Sequence, residues 1–321
     1  MIKLNQEEFP LVSIIIPCFN HEKYIEECLE SIKKDSYPNI EVLIMDDGSV
    51  DKTLEVANKW RLENNSCFKS FSLGSQENRG LAVTINDLIK NSLGKFIIPL
   101  ASDDKLIPGA LMERVNYCKE KSKCLALISD CKIIDENSKE ISPSGLFDFR
   151  KSDKYAYCSH KKIANELLMN WVLPGPVVIF KREIFFGEHS LGLYTETGAT
   201  EDREIFLRII LEDAFDFLPI KVSEYRIHSS NSCRPISKVH KAMHYKMRLK
   251  AEILHLNSFN GVQKIFLTLS CLRYKILINR LEKNKKELFP LEIMIGGFMR
   301  SIYHIYRINN YLSYYFHKIL K

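Results

Sequence analysis

Asp46 and Asp47 close the apolar run that starts at Ile40, and Asp103 and Asp104 close the run that starts at Phe96. Adjacent carboxylates at the end of a buried strand repel each other and lose solvation, so each pair asks for a counterion. Either pair alone is also ordinary turn chemistry, with Asp47-Gly48-Ser49 as a turn and Asp51 as a helix cap. Two strands ending the same way are harder to assign to turns. They point to a rim where acids meet a cation or the polar edge of a ligand.

The segments that carry these acids alternate in period. "LVSIIIP" (11–17) is a short β-branched run, and "HEKYIEECLESIKK" (21–34) then sets Tyr24, Ile25, Cys28, Leu29 and Ile32 on one helical face. The pattern repeats with 40–45 before 51–63, 68–73 before 81–93, and 95–100 before 109–120. Such alternation predicts an α/β fold with a mostly parallel sheet flanked by helices. Ligands of these folds bind beyond the carboxyl ends of the strands, where the strand order reverses. The first turn reads "PCFNHEKY", with no Gly-X-Gly-X-X-Gly, and no Gly-Lys-Ser/Thr occurs anywhere. Phosphates here are therefore expected on metal and basic side chains rather than on a glycine loop.

The remaining composition sets the context. The chain of 321 residues is 45% hydrophobic and 27% charged, enough for one large globular domain with an appendage. No export signal and no membrane span is expected, because the apolar runs stop at Pro17, Arg273 and Arg300. Nine cysteines, odd in number and without a Cys-X-X-Cys pair, read as reduced, mostly buried thiols of a cytoplasmic protein. Residues 238–321 hold 16 of the 46 Lys and Arg but only 4 of the 40 Asp and Glu, a net +12 against −6 for the rest. This tail is helical by period. Val262, Ile265, Phe266, Leu269, Leu272 and Ile276 share one face, and Phe298, Ile302, Ile305, Leu312, Phe316 and Ile319 form a second set. It either packs on the rest of the chain or docks on an anionic membrane. Nucleic acid is not expected, since no recognised module accompanies the basic tyrosine-rich stretch. His240 and His244 have zinc-ligand spacing, but Lys241 stands where His-Glu-X-X-His needs glutamate. Two carboxylates alone would also fit a glycoside hydrolase, which has no use for the Asp-Asp-Gly-Ser turn.

Six stretches, "VSIIIPCFNHEKYIEECLESI", "IEVLIMDDGSVDKT", "ENRGLAVTINDLI", "GKFIIPLASDD", "TEDREIFLRI" and "YRIHSSNSC", stand in one order across about residues 11 to 235. In this they resemble glycosyltransferase family 2, the inverting nucleotide-sugar transferases of GT-A fold. The resemblance implies a catalytic domain over 1–237, with a nucleotide-sugar half near 1–105 and an acceptor half near 106–237. Residues 238–321 lie outside it as a basic helical extension. It implies a UDP-sugar donor, less readily a dTDP-sugar, held by Pro17, Phe19, Asn20, Asp46, Asp47, Asn78, Arg79, Gly80 and Asp103. Asp47 would accept from a pyrimidine N3–H beside an aromatic face. Phe19 replaces the more usual tyrosine and loses a hydroxyl contact. Ala101 stands where many relatives carry the first metal-motif acid, which leaves Asp103 to the ribose. Asp104 and His228 then become the expected ligands of Mn²⁺ or Mg²⁺. Asp202 is the expected base that deprotonates the acceptor hydroxyl, with Glu201 as its partner; both also suit a helix N-terminus. The acceptor implied is a glycan or lipid-linked saccharide in surface polysaccharide, lipopolysaccharide or capsule synthesis, with the enzyme cytoplasmic or peripheral on the membrane's inner face. Two other readings stay open: a non-catalytic nucleotide-sugar-binding or membrane-recruiting protein, and, more weakly, a nucleotidyltransferase.

Overall fold

A computed structural model describes residues 8–196, 201–231, 237–283 and 285–319, with backbone alone for 201, 286 and 316–319. The chain forms two compact units. One comprises 1–149, 174–196 and 214–228, the other 150–173, 197–213 and 229–321.

The first unit opens with β1 (Val12–Cys18), α1 (Ile25–Lys33), β2 (Ile40–Asp46), α2 (Thr53–Asn64), β3 (Ser70–Ser75), α3 (Leu81–Asn91) and β4 (Phe96–Pro99). β1 and β2 are buried almost throughout, as their β-branched runs require. α1 buries Ile25, Cys28, Leu29 and Ile32, places Glu26 and Glu27 in its first turn and Lys33 in its last, and so complements its own dipole. β5 (Lys105–Leu106), α4 (Ala110–Glu120), β6 (Ala126–Ile134), β7 (Glu140–Ser142), β8 (Val178–Lys181) and β9 (Phe215–Arg226) complete the unit. The nine strands form one sheet in the order β3-β2-β1-β4-β8-β6-β9-β5, with β7 beside β6. The β3-β2-β1-β4 half is parallel, as the alternation predicts. β6 and β9 are also parallel, while β8 runs antiparallel between β4 and β6, so the second half is mixed. Strand order reverses between β1 and β4, and the carboxyl ends of β1, β2 and β4 converge there.

The second unit is helical: α5 (His160–Met169), α6 (Glu201–Leu211), α7 (Lys238–His255), α8 (Gly261–Lys283) and α9 (Phe289–Ile319). Within this unit the C-terminal helices share buried polar contacts with the two earlier segments. Arg203 of α6 is buried, pairs with Glu252 of α7 at 3.1 Å and donates to the carbonyls of Leu167 and Leu168. Tyr303 of α9 donates to Glu166 of α5 at 2.8 Å, and Asn310 donates to Asp153 at 2.9 Å.

The apolar sets read for the tail divide differently in the structure. On α8, Phe266, Leu267, Cys271 and Ile276 are buried while Val262, Ile265 and Leu272 face solvent. On α9, Phe298, Ile305 and Leu312 are exposed. Phe316 and Ile319 lie outside the described side chains. The contact face of α8 is turned toward 266, 267, 270 and 271 because α7, α5 and α9 all meet it. Six of the eight described cysteines are buried, Cys67 and Cys158 are exposed, and Cys233 lies outside the described residues. Among the described residues, no helix is long and apolar enough to cross a membrane.

Candidate active site

The turn after β2 is built by its own acids. Asp46 accepts from the amide and hydroxyl of Ser49, which closes the turn. Asp47 reaches across to the loop before α3. Its Oδ1 accepts from Gln76 Nε2 at 2.8 Å and from the Arg79 amide at 2.9 Å, and its Oδ2 accepts from the Gly80 amide at 2.9 Å. A carboxylate takes about four donors, so one position remains for a further N–H. Gly48 permits this approach. Its φ is +81°, and a Cβ there would stand 2.9 Å from the Asn78 amide nitrogen. Across the crevice, Asn20 adopts φ 55°, donates its amide to Ser49 Oγ at 2.8 Å and accepts from the Val50 amide at 2.9 Å. Phe19 is 46% exposed, a ring face open at the rim, while Pro17 pairs with Met45 in the parallel ladder. Asn78 and Arg79 are exposed, and Arg79 pairs with Asp87 at 2.8 Å.

The turn after β4 holds the second acid pair. Asp103 Oδ2 lies 2.9 Å from His228 Nε2 and 3.8 Å from His21 Nε2. The potential ligand atoms of these three residues all lie within 4.8 Å of one another. His21 Nδ1 is held by Ser102 Oγ at 2.7 Å, and the His228 ring packs on Tyr24 with centroids 4.8 Å apart. Burial disfavours the charged form of Asp103, yet the His228 hydrogen bond and the charges of His21 and His228 outweigh it, so its carboxyl sits below the ordinary aspartate range. Burial, partly opposed by Asp103, pushes the His21 imidazole down. Asp104 takes a different part, accepting the Arg226 amide at 2.8 Å. Arg226, fully buried, donates to the Asp103 carbonyl at 2.7 Å, to Glu27 at 3.0 Å and to Ser138 at 2.9 Å, with its guanidinium 4.8 Å from the Tyr24 ring centroid. The end of β9 is thus tied to both acids of the β4 turn.

His228 and Asp103, both singled out in sequence, therefore come together, but with His21 as the third member and with Asp104 turned to the backbone. Neither His21 nor Arg226 is marked in the sequence reading. Their signals are slight: a histidine in the first strand-to-helix turn, and an arginine two residues before His228. Asp202 belongs to the second unit, at the start of α6 beside Arg203. Its side chain reaches solvent, but the protein packed around it penalises the charged form and pushes its carboxyl up to about 6. The Glu201 side chain lies outside the described residues.

Donor chemistry tests which cation this cluster suits. Two imidazoles with one carboxylate match a borderline ion such as Mn²⁺ better than Mg²⁺, which prefers oxygen alone.

An α/β sheet with polar strand ends at its reversal and a helical C-terminal region is the fold of GT-A glycosyltransferases. Residues 13–184 match the profile of glycosyl transferase family 2, and the chain belongs to that family. An uncharacterized glycosyltransferase of Rickettsia bellii (strain RML369-C) is 27% identical over 233 residues, which are 71% of this chain and 31% of that protein. The chain thus spans about a third of the length of this relative. Among solved structures, S. aureus TarS 1–349 in complex with UDP-GlcNAc superposes with a TM-score of 0.62 at 19% identity, covering 91% of this chain and 81% of that one. The mannosyltransferase PcManGT from Pyrobaculum calidifontis, in complex with GDP-Man and Mn²⁺, gives 0.57 at 16% identity, covering 95% of this chain and 84% of that one.

Proposed function

We propose that the protein is an inverting glycosyltransferase that moves a hexosyl or N-acetylhexosaminyl group from a UDP-sugar to a hydroxyl of a glycan or lipid-linked saccharide. The observation that carries this reading is the convergence of two polar strand ends, one organised by Asp47 and one by Asp103, at the sheet's reversal. The nucleobase is assigned to the Phe19 face and the remaining acceptor position of Asp47, with Asn20, Asn78, Arg79 and Gly80 around the nucleoside. The solved complexes of TarS with UDP-GlcNAc and of PcManGT with GDP-Man and Mn²⁺ support a nucleotide-sugar donor.

His21, Asp103 and His228 are the residues proposed to hold a divalent cation, with Mn²⁺ the better match. When bound, such an ion offsets the negative charge of a diphosphate leaving group. Asp104 is reassigned from ligand to anchor of the β9 end, through Arg226. Asp202 is proposed to take the proton of the acceptor hydroxyl as its oxygen bonds to the anomeric carbon. The bond from that carbon to the diphosphate oxygen breaks on the opposite face, and the proton passes on to solvent. A carboxyl near 6 suits this role, because it is largely ionised at neutral pH yet basic enough to accept a proton.

Calorimetric titration of UDP with and without Mn²⁺ tests the cation site. The wild-type chain should bind UDP more tightly with Mn²⁺, and Asp103→Asn should lose that difference while Asp104→Asn keeps it. Equal UDP affinity with and without metal in the wild type would refute the assignment.

A further inference from the structure

α9 carries a feature that sugar transfer does not use. Leu291, Met294, Phe298, Ile305, Ile308 and Leu312 are all exposed and follow steps of three and four, with Ser301 filling the one gap. Tyr315 continues the series, and Phe298 and Ile305 are 56% and 67% exposed. The opposite face holds the contacts of α9 within its own unit, through Ile295, Met299, Tyr303 and Asn310. An apolar stripe more than twenty residues long is therefore left in water, well beyond the scattered exposed side chains of an ordinary surface.

Spacing of this kind suits either a partner helix or a lipid boundary, and charge decides between them. From Ile293 to Ile319 the helix has no Asp or Glu. Arg300, His304 and Arg307, together with Gly297, Ser301 and Ile305, line an open groove of about 640 Å³ along it. A second copy of α9 would set these cations against their own kind, with no carboxylate from the stripe to answer them. An anionic surface answers them directly.

We propose that the exposed face of α9 docks on an anionic lipid surface, with its apolar stripe at the headgroup boundary and Arg300, His304 and Arg307 at lipid phosphates. Long basic side chains reach outward while their stems stay on apolar surface, and tyrosines favour the same boundary. This docking needs no assumption about the transfer reaction.

Co-sedimentation of the full chain with phosphatidylcholine vesicles, and with vesicles containing about one quarter phosphatidylglycerol, tests it. Binding should appear with the anionic vesicles and weaken as salt is raised. Arg300→Gln with Arg307→Gln should lower the partition on the order of 30-fold, at about fivefold per cation near the surface. Ile305→Asp should abolish it. Melting temperature and UDP binding, measured on each variant, should match the wild type, since these side chains lie at the surface. Equal partition into neutral and anionic vesicles would overturn the proposal. So would the absence of vesicle binding together with a dimer in light scattering that Ile305→Asp dissociates, which would make the stripe a contact between copies.

Discussion

Asp202 joins a surface position to a carboxyl raised to about 6, and the role proposed for it can be separated from binding by experiment. Asp202→Asn should leave UDP-sugar binding nearly unchanged and lower kcat on the order of 10² to 10⁴, because only proton removal in the transition state is lost. In the wild type, kcat should fall as pH drops through about 6, where the base becomes protonated, and Asp202→Asn should lack that limb. The shift acts on stability with its own sign. The folded chain binds this proton more tightly than the unfolded one, whose value is 3.8, so this group favours folding increasingly as pH falls from about 6 toward 3.8. A profile flat from pH 5 to 7, or Glu201→Gln as the crippling change, would move the assignment. At this scale Asp47, Asp103 and His228 could be singled out in the sequence because strand-end acids and a histidine near the end of the resemblance stand out locally. His21 could not, since its place beside Asp103 and His228 depends on β1 lying beside β4, eighty residues away in sequence.

Elements position these side chains through turns that tolerate little change. Gly48 sits at φ +81° with Asn78 in the place its Cβ would need, so the β2 turn and the loop before α3 are fitted to each other. Gly48→Ala should cost about 1–2 kcal/mol for the left-handed conformation alone. The displaced loop should also weaken UDP binding, read by melting and by titration on the same protein. An unchanged melting temperature with full UDP affinity would show that the close approach is not required. The helices and strands from β1 to α4, apart from the two-residue β5, follow from the period of the sequence with boundaries shifted by a few residues. The second half of the sheet was less legible. β8 enters antiparallel between β4 and β6, and β9 runs 12 residues to end at Arg226, the residue that holds Asp103 and Glu27. Such long-range pairings leave no local signature, since each strand alone reads as another short apolar run.

At the scale of the whole chain, the basic tail proves inseparable from earlier segments of the second unit. Arg203, next to Asp202, depends on Glu252 of α7 for its buried charge, and Glu166 of α5 depends on Tyr303 of α9 for a hydrogen bond. Removing residues 238–321 would strand a buried guanidinium, an expensive change, so function is best measured on the full chain. Sugar transfer with release of the nucleotide is measured most directly as UDP production from UDP-sugars by the full chain, with Mn²⁺ and a saccharide acceptor. UDP release should require both metal and acceptor and be abolished by Asp103→Asn and by Asp202→Asn. UDP binding without release, across a panel of UDP-hexoses and UDP-N-acetylhexosamines with glycan and lipid-linked acceptors, would contradict it, as would release of pyrophosphate in place of UDP.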